Sequence, residues 1–129
     1  MATIKSFEEI EAWQKARSLS KEIFELTIVG TFSRDFGLRD QINRASGSIM
    51  DNIAEGFERS GTKEFIQFLA IAKGSAGEVR SQLYRALDRN HISLDQYAIL
   101  LESTTQISKM INKFMIYLRD ANLKGMKFH

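Results

Sequence analysis

The chain of 129 residues has no cysteine and no proline, and it has only two histidines. Without cysteine there is no disulfide, no thiol nucleophile and no thiolate metal site. Zinc is equally poorly served, because two histidines cannot supply a coordination shell. A di-iron centre in a helical bundle is built from glutamates and Glu-x-x-His pairs. Neither histidine has a glutamate three residues before it; His91 has Asp88. A serine nucleophile needs a base held against it, and with one histidine at a turn and the other in the tail no triad is expected. No GxxxxGK or GxGxxG phosphate loop occurs. Glu55 with Asp51 or Glu58 is the ordinary carboxylate neighbourhood of a helix surface rather than a catalytic pair. No apolar run approaches the roughly 20 residues that cross a bilayer, and the opening "MATIKSFEEI" lacks an apolar signal core. These absences point to a soluble, cytoplasmic protein that is not an enzyme, with no cofactor, no metal and no small-molecule substrate.

Strand-like alternation and linker-like tracts are missing as well. What is present is 43% hydrophobic and 26% charged residues, enough to build the core of one all-α domain. Four helical segments are expected. The first covers about 7–28, opened by a Ser6–Glu9 capping box, with Ala12, Ala16, Leu19, Ile23 and Leu26 on one face and Gly30 ending it. The second covers about 35–59, with Leu38, Ile42, Ala45, Ile49, Ile53 and Gly56 inward. Ser60-Gly61 breaks the chain and Thr62 is placed to cap the third helix, about 63–90. Its stripe is Phe65, Leu69, Ala72, Ala76, Val79, Leu83 and Ala86. A Ser93–Gln96 capping box opens the fourth, about 94–121, with Tyr97, Leu101, Thr104, Ile107, Ile111, Phe114 and Leu118 inward. Residues 122–129 are read as a frayed tail. Long helices joined by short turns pack as an antiparallel up-down-up-down bundle, and four-three spacing favours near-parallel axes.

The stretch "NIAEGFERS" at 52–60 sets a question of its own. Gln41, Arg44, Ser48, Asn52 and Glu55 fall along one flank of the second helix, bordering the apolar stripe. Polar groups at such an edge must find partners or stay wet. The flank reads as a hydrogen-bonded clamp between helices or between subunits, with Lys73 or Arg80 of the third helix in reach. A ligand site and a plain exposed edge are the alternatives. Gly56 costs roughly 1 kcal/mol against alanine inside a helix, as do Gly47, Gly74 and Gly77. Gly47 and Gly74 point away from the bundle core. Phe24, Phe36, Phe68 and Ile71 lie off their helices' stripes, and four helices share only one interior. Apolar residues outside it mark an interface, so a homo-oligomer is expected. Asn52→Leu or Glu55→Ala is expected to lower the melting temperature or disrupt assembly.

Charge divides unevenly along the chain. Residues 1–60 carry eight basic and ten acidic side chains, and residues 61–129 carry ten basic and six acidic ones. Between Ser103 and Arg119 there are three basic residues and no acidic one. Lys109 with Lys113, and Arg85 with Arg89, are like-charged i,i+4 neighbours that repel and that a phosphate would relieve. Arg80, Arg85, Arg89, Lys109, Lys113, Arg119, Lys124 and Lys127 are therefore the candidate nucleic-acid-binding residues. Without an RNA-reading module, such binding should be salt-sensitive and indifferent to base sequence.

The stretches "FEEIEAWQKARSLSKEIFEL", "FGLRDQINRASGSIMDNIAEGFERSGTKEFIQFLAIAKGSAGE" and "QISKMINKFMIYLR" resemble the four-helix-bundle proteins encoded within 23S rRNA intervening sequences. The resemblance spans nearly the whole chain and is most specific at Gln41, Arg44, Ala45, Ser48, Ile49, residues 52–56 and residues 65–75. It implies a cytoplasmic bundle assembling as a ring-like homopentamer. It also implies kinship with the accessory protein of diversity-generating retroelements, a basic pentamer that binds nucleic acid and a reverse transcriptase. No enzymatic activity is established for the family. The chain departs from the usual pattern where Asn43 replaces a second arginine, and in lacking prolines near Ser33 and Met50. Two functions follow as expectations: an oligomeric bundle that engages RNA or a nucleic-acid complex through its basic C-terminal half, or a protein-interaction scaffold with no nucleic-acid contact.

Overall fold

The computed structural model describes residues 4–123. Four long helices account for most of them: α1 (Glu11–Thr27), α2 (Phe36–Glu58), α3 (Thr62–Asp88) and α4 (Leu94–Leu123). Short 3-10 turns at Phe7–Glu9 and Gly30–Arg34 precede α1 and α2. Among the described residues there is no strand. The principal contacts run α1 to α2, α2 to α3, α3 to α4 and α4 back to α1. The helices thus stand at the corners of a square, with the α2–α3 seam opposite the α1–α4 seam.

Local chemistry explains where each helix starts and stops. The Ser6–Glu9 capping box is present, but it opens the 3-10 turn rather than the first long helix. The carboxylate of Glu9 accepts from the backbone N–H groups of Ser6 and Lys5. The buried Ile10 then takes an extended conformation, and α1 begins only at Glu11. Gly30, three residues past the end of α1, adopts φ of +58°, a left-handed conformation that costs glycine little. Asp35 is the N-cap of α2 rather than its first residue. Thr62 is the first residue of α3 and Gly61 its N-cap, so the threonine does not cap. The second capping box forms as expected: Ser93 N–H donates to Gln96 Oε1 at 2.8 Å and Gln96 N–H to Ser93 Oγ at 3.1 Å. Helix α4 continues to Leu123, two residues past the expected end.

The stripes expected for α2 and α3 are buried throughout, and that of α1 is buried apart from the partly exposed Leu26. The fully buried Phe65 sits at the centre, edge-on to Phe57 at 6.0 Å and to Phe114 at 5.3 Å. Fully burying a side chain of this size contributes roughly 1.5–3 kcal/mol. In α4 the inward set differs from the expected one. Leu100 and Met115 are buried, while Tyr97, Leu101 and Phe114 are only partly so. A strict four-three spacing drifts about 20° per heptad on a straight helix, and α4 restores its face with the four-four step Ile107–Ile111–Met115.

Gly56 marks a close approach of two helices. A Cβ added there would lie 2.6 Å from Phe68 Cβ and 2.9 Å from Phe65 Cδ1. The α2 backbone can rest on the first turns of α3 only because that Cβ is missing. Gly47, Gly74 and Gly77 have open space instead, so nothing within the chain requires glycine at those positions.

Candidate functional site

Two polar surfaces follow from this arrangement. The first runs along the α2–α3 seam and contains the polar flank of α2. Ser48 Oγ lies 2.9 Å from Ser75 Oγ, bridging the two helices, and the Asn52 amide donates to Ser48 Oγ at 2.9 Å and to Ser48 O at 2.8 Å. Arg85 donates to Gln41 Oε1 across the same seam at 2.9 Å. The Ser48–Ser75 and Gln41–Arg85 bonds tie α2 to α3, and the Asn52 amide holds Ser48 from within α2. Glu55 does not join them: it is exposed and accepts from Arg59 one turn further on at 2.9 Å. Arg44 is exposed and lines an open groove of about 550 Å³ with Gln41, Ser48, Glu78, Ser81, Gln82 and Arg85. Gln82 is 6% exposed, and its Oε1 has no hydrogen-bond partner among the described residues.

These geometries separate two substitutions that the sequence alone treats alike. Asn52→Leu removes two hydrogen bonds from a half-buried site and is expected to cost about 1–2 kcal/mol in thermal unfolding. Glu55→Ala removes only an exposed i,i+4 ion pair and should shift stability by no more than about 0.5 kcal/mol. Equal losses in the two variants would show that the seam bonds are not what stabilises this flank.

The second surface lies between α3 and α4. Lys73 and Arg80 from α3 and Lys109 and Lys113 from α4 line a groove of about 380 Å³ with Thr105, Ser108 and Asn112. The Lys73 ammonium donates to Asn112 Oδ1 at 3.1 Å. Among the described residues no carboxylate lines this groove. Helical spacing creates it. Lys73 and Arg80 are seven residues apart and Lys109 and Lys113 four apart, so each pair stays on one face. The remaining basic candidates do not gather here. Arg85 turns to the α2–α3 seam, and Arg89 pairs with Asp35 at 2.8 Å. The i,i+4 repulsion between those two arginines is thus answered within the chain. Arg119 is exposed further along α4 and does not line the groove. Lys124 and Lys127 lie outside the described residues.

A third cluster has no counterpart in any sequence motif. His91 is stacked on Phe32 with ring centroids 4.9 Å apart. One ring nitrogen, Nδ1, lies 2.9 Å from Thr31 Oγ1, and the other, Nε2, lies 2.9 Å from Asp35 Oδ2. Hydrogen bonds from His91, and then from Arg89, pull the Asp35 carboxyl down to about 2. A hydroxyl, an imidazole and a carboxylate therefore do form a chain, where no such constellation was expected. Its partners come from the α1–α2 connection and the α3–α4 turn, and the ring is packed into the structure. It ties the two connections together at one end of the bundle. Asn43 is also engaged in packing. Its amide donates to Thr27 Oγ1 at 2.9 Å, joining α2 to α1.

The model of the family described as 23S rRNA-intervening sequence protein matches residues 8–113. The chain belongs to that family. The match takes in α1, α2, α3 and most of α4, with both polar seams. Among solved structures, the chain is similar to a protein of unknown function from the S23 ribosomal protein family of Bacteroides thetaiotaomicron. The TM-score is 0.75 at 24% identity, covering 81% of this chain and 94% of the other. That likeness establishes the shared all-helical fold. No curated protein matches the chain. Among the described residues no helix is long and apolar enough to cross a membrane.

Proposed function

We propose that this 23S rRNA-intervening sequence protein is a non-enzymatic, oligomeric helical bundle of the cytoplasm that holds RNA, or an RNA-containing complex, by its phosphates. The observation that carries the reading is the α3–α4 groove, where four cations meet with hydroxyl and amide donors and no carboxylate. Each backbone phosphate neutralised there releases counterions, which drives binding without reading bases. The bundle itself is read as antiparallel. Cross-seam partners support this: Ser48 meets Ser75, Gln41 meets Arg85, and Asp35 meets Arg89, so one helix number falls as the other rises. Assembly into a ring-like homo-oligomer, a pentamer by family resemblance, would repeat the groove around the particle and multiply weak contacts.

Lys109→Glu with Lys113→Glu is the test. The pair is expected to weaken binding of an unstructured RNA by about tenfold or more. It should also lower the slope of log affinity against log salt by about 1.4, near 0.7 for each single-strand phosphate no longer neutralised. An unchanged slope would remove the groove from the site. The scaffold reading has an observation of its own. Phe24 (53% exposed) and the exposed Ile28 line one groove together with Met50, an apolar surface suited to a protein partner. RNA binding absent from the wild-type oligomer even at low salt would favour it.

A further inference from the structure

We infer that the α2–α3 groove of one copy receives the α1–α4 face of the next, in a head-to-tail contact. The inference rests on the oligomer reading above and says which two surfaces meet. The first observation is Gln82. A buried carbonyl oxygen without a hydrogen bond is costly; Gln82 Oε1 has none among the described residues, and the Gln82 side chain borders an open groove. A donor arriving from outside the chain would satisfy it. The second observation is charge. The groove that holds Gln82 also holds Arg44, Arg85 and Glu78. No side chain of the described residues is hydrogen-bonded to or ion-paired with Arg44 or Glu78, and Arg85 is held only by a neutral amide. The groove is net positive.

The opposite seam is its complement. Glu9, Glu11, Glu22 and Lys15 line an open groove of about 720 Å³ between α1 and α4, together with serine and glutamine side chains. Glu9 is engaged in its capping box, while Glu11, Glu22 and Lys15 make no ion pair among the described residues. The α1–α4 face is therefore net negative and rich in donors for the Gln82 oxygen. Two copies of the same seam would set like charges against each other, which argues against a two-fold contact. Opposite seams attract. A contact between different faces of identical subunits leaves one free face at each end, so it propagates until it closes as a ring or continues as a filament.

Charge exchange tests this. The full chain is freed of nucleic acid and its mass is read by light scattering at low salt, with helicity checked by circular dichroism. Arg44→Glu with Arg85→Glu, and separately Glu11→Lys with Glu22→Lys, are each expected to reduce the particle to a monomer. A 1:1 mixture of the two variants should assemble again into particles of alternating copies, because the wild-type faces and the reversed faces each make an opposite-charge contact. All four substitutions in one chain should regain the wild-type mass. If the wild type is an oligomer and both double variants keep its mass, these faces do not meet, and the oligomer reading stands on another surface. Mixtures that stay monomeric would likewise overturn the head-to-tail contact. A wild-type monomer would sink the oligomer reading itself.

Discussion

Gly56→Ala should lower the melting temperature by about 5–15 °C, and Gly56→Leu should leave no cooperative unfolding transition. Helix propensity alone predicts the opposite sign, since alanine in place of glycine stabilises a helix by roughly 1 kcal/mol. The new Cβ, however, would press against Phe68 Cβ at 2.6 Å and Phe65 Cδ1 at 2.9 Å. The first of these atoms is anchored to the α3 backbone. Phe65 is fully buried between Phe57 and Phe114 and has no room to yield. The helices must move apart, and overpacking of this kind costs typically 1–3 kcal/mol or more. In a domain of this size each kilocalorie is several degrees. Gly74→Ala is the control: its Cβ would meet nothing within 4 Å, so propensity should win and the melting temperature should rise in the isolated chain. A Gly56→Ala variant as stable as the wild type would mean that α2 and α3 are not in the close register described.

Asp35→Ala should cost about 2–3 kcal/mol, the second large effect. The carboxylate does three things at once. It caps α2 through Leu38 N–H, it accepts from Arg89 at 2.8 Å, and it lies 2.9 Å from the buried ring of His91. Loss of a helix cap typically costs about 1 kcal/mol, and leaving a buried imidazole nitrogen without its partner adds about as much again. The same contacts set a pH dependence. Hydrogen bonds from His91 and Arg89 hold the Asp35 carboxyl down at about 2 in the folded chain, against about 3.9 in an unfolded one. A depressed folded value means that the stabilisation is complete above pH 4 and is lost as pH falls from about 4 towards 2. Asp35→Asn should therefore unfold at lower stability near neutrality but with a shallower acid limb across that window. Parallel acid limbs in the two proteins would contradict the assigned role.

How much of this is legible in the sequence depends on sequence distance. The stripes of α2 and α3 follow from helical periodicity, because both helices are packed on two sides and tolerate little drift. The Ser93–Gln96 box opens α4 since both partners lie within one turn. The Ser6–Glu9 box obeys the same local rule and yet starts only a 3-10 turn, because the buried Ile10 pulls the chain inward before α1 can begin. The bonds of Ser48 and Asn52 lie on the flank that periodicity marks, but the partner of Ser48 across the seam, Ser75, is 27 residues away. Glu55 shares that flank by angle and still faces solvent, as its distance from α3 is set by packing rather than by helical phase. The His91 cluster is illegible for the same reason. Its members at 31, 35, 89 and 91 meet only once two connections are folded against each other, and no spacing rule links them. The α3–α4 groove is half visible: Lys109 and Lys113 announce themselves as neighbours, while Lys73 and Arg80 join them only through the packing of two helices.

The most direct measurement is the light-scattering mass of the purified chain, followed by absorbance for co-purified nucleic acid, at low and then at high salt. The account predicts a particle several times the 14.7 kDa of one chain, carrying RNA at low salt and releasing it as salt rises while the particle persists. A 14.7 kDa species with the absorbance of protein alone at low salt would contradict it.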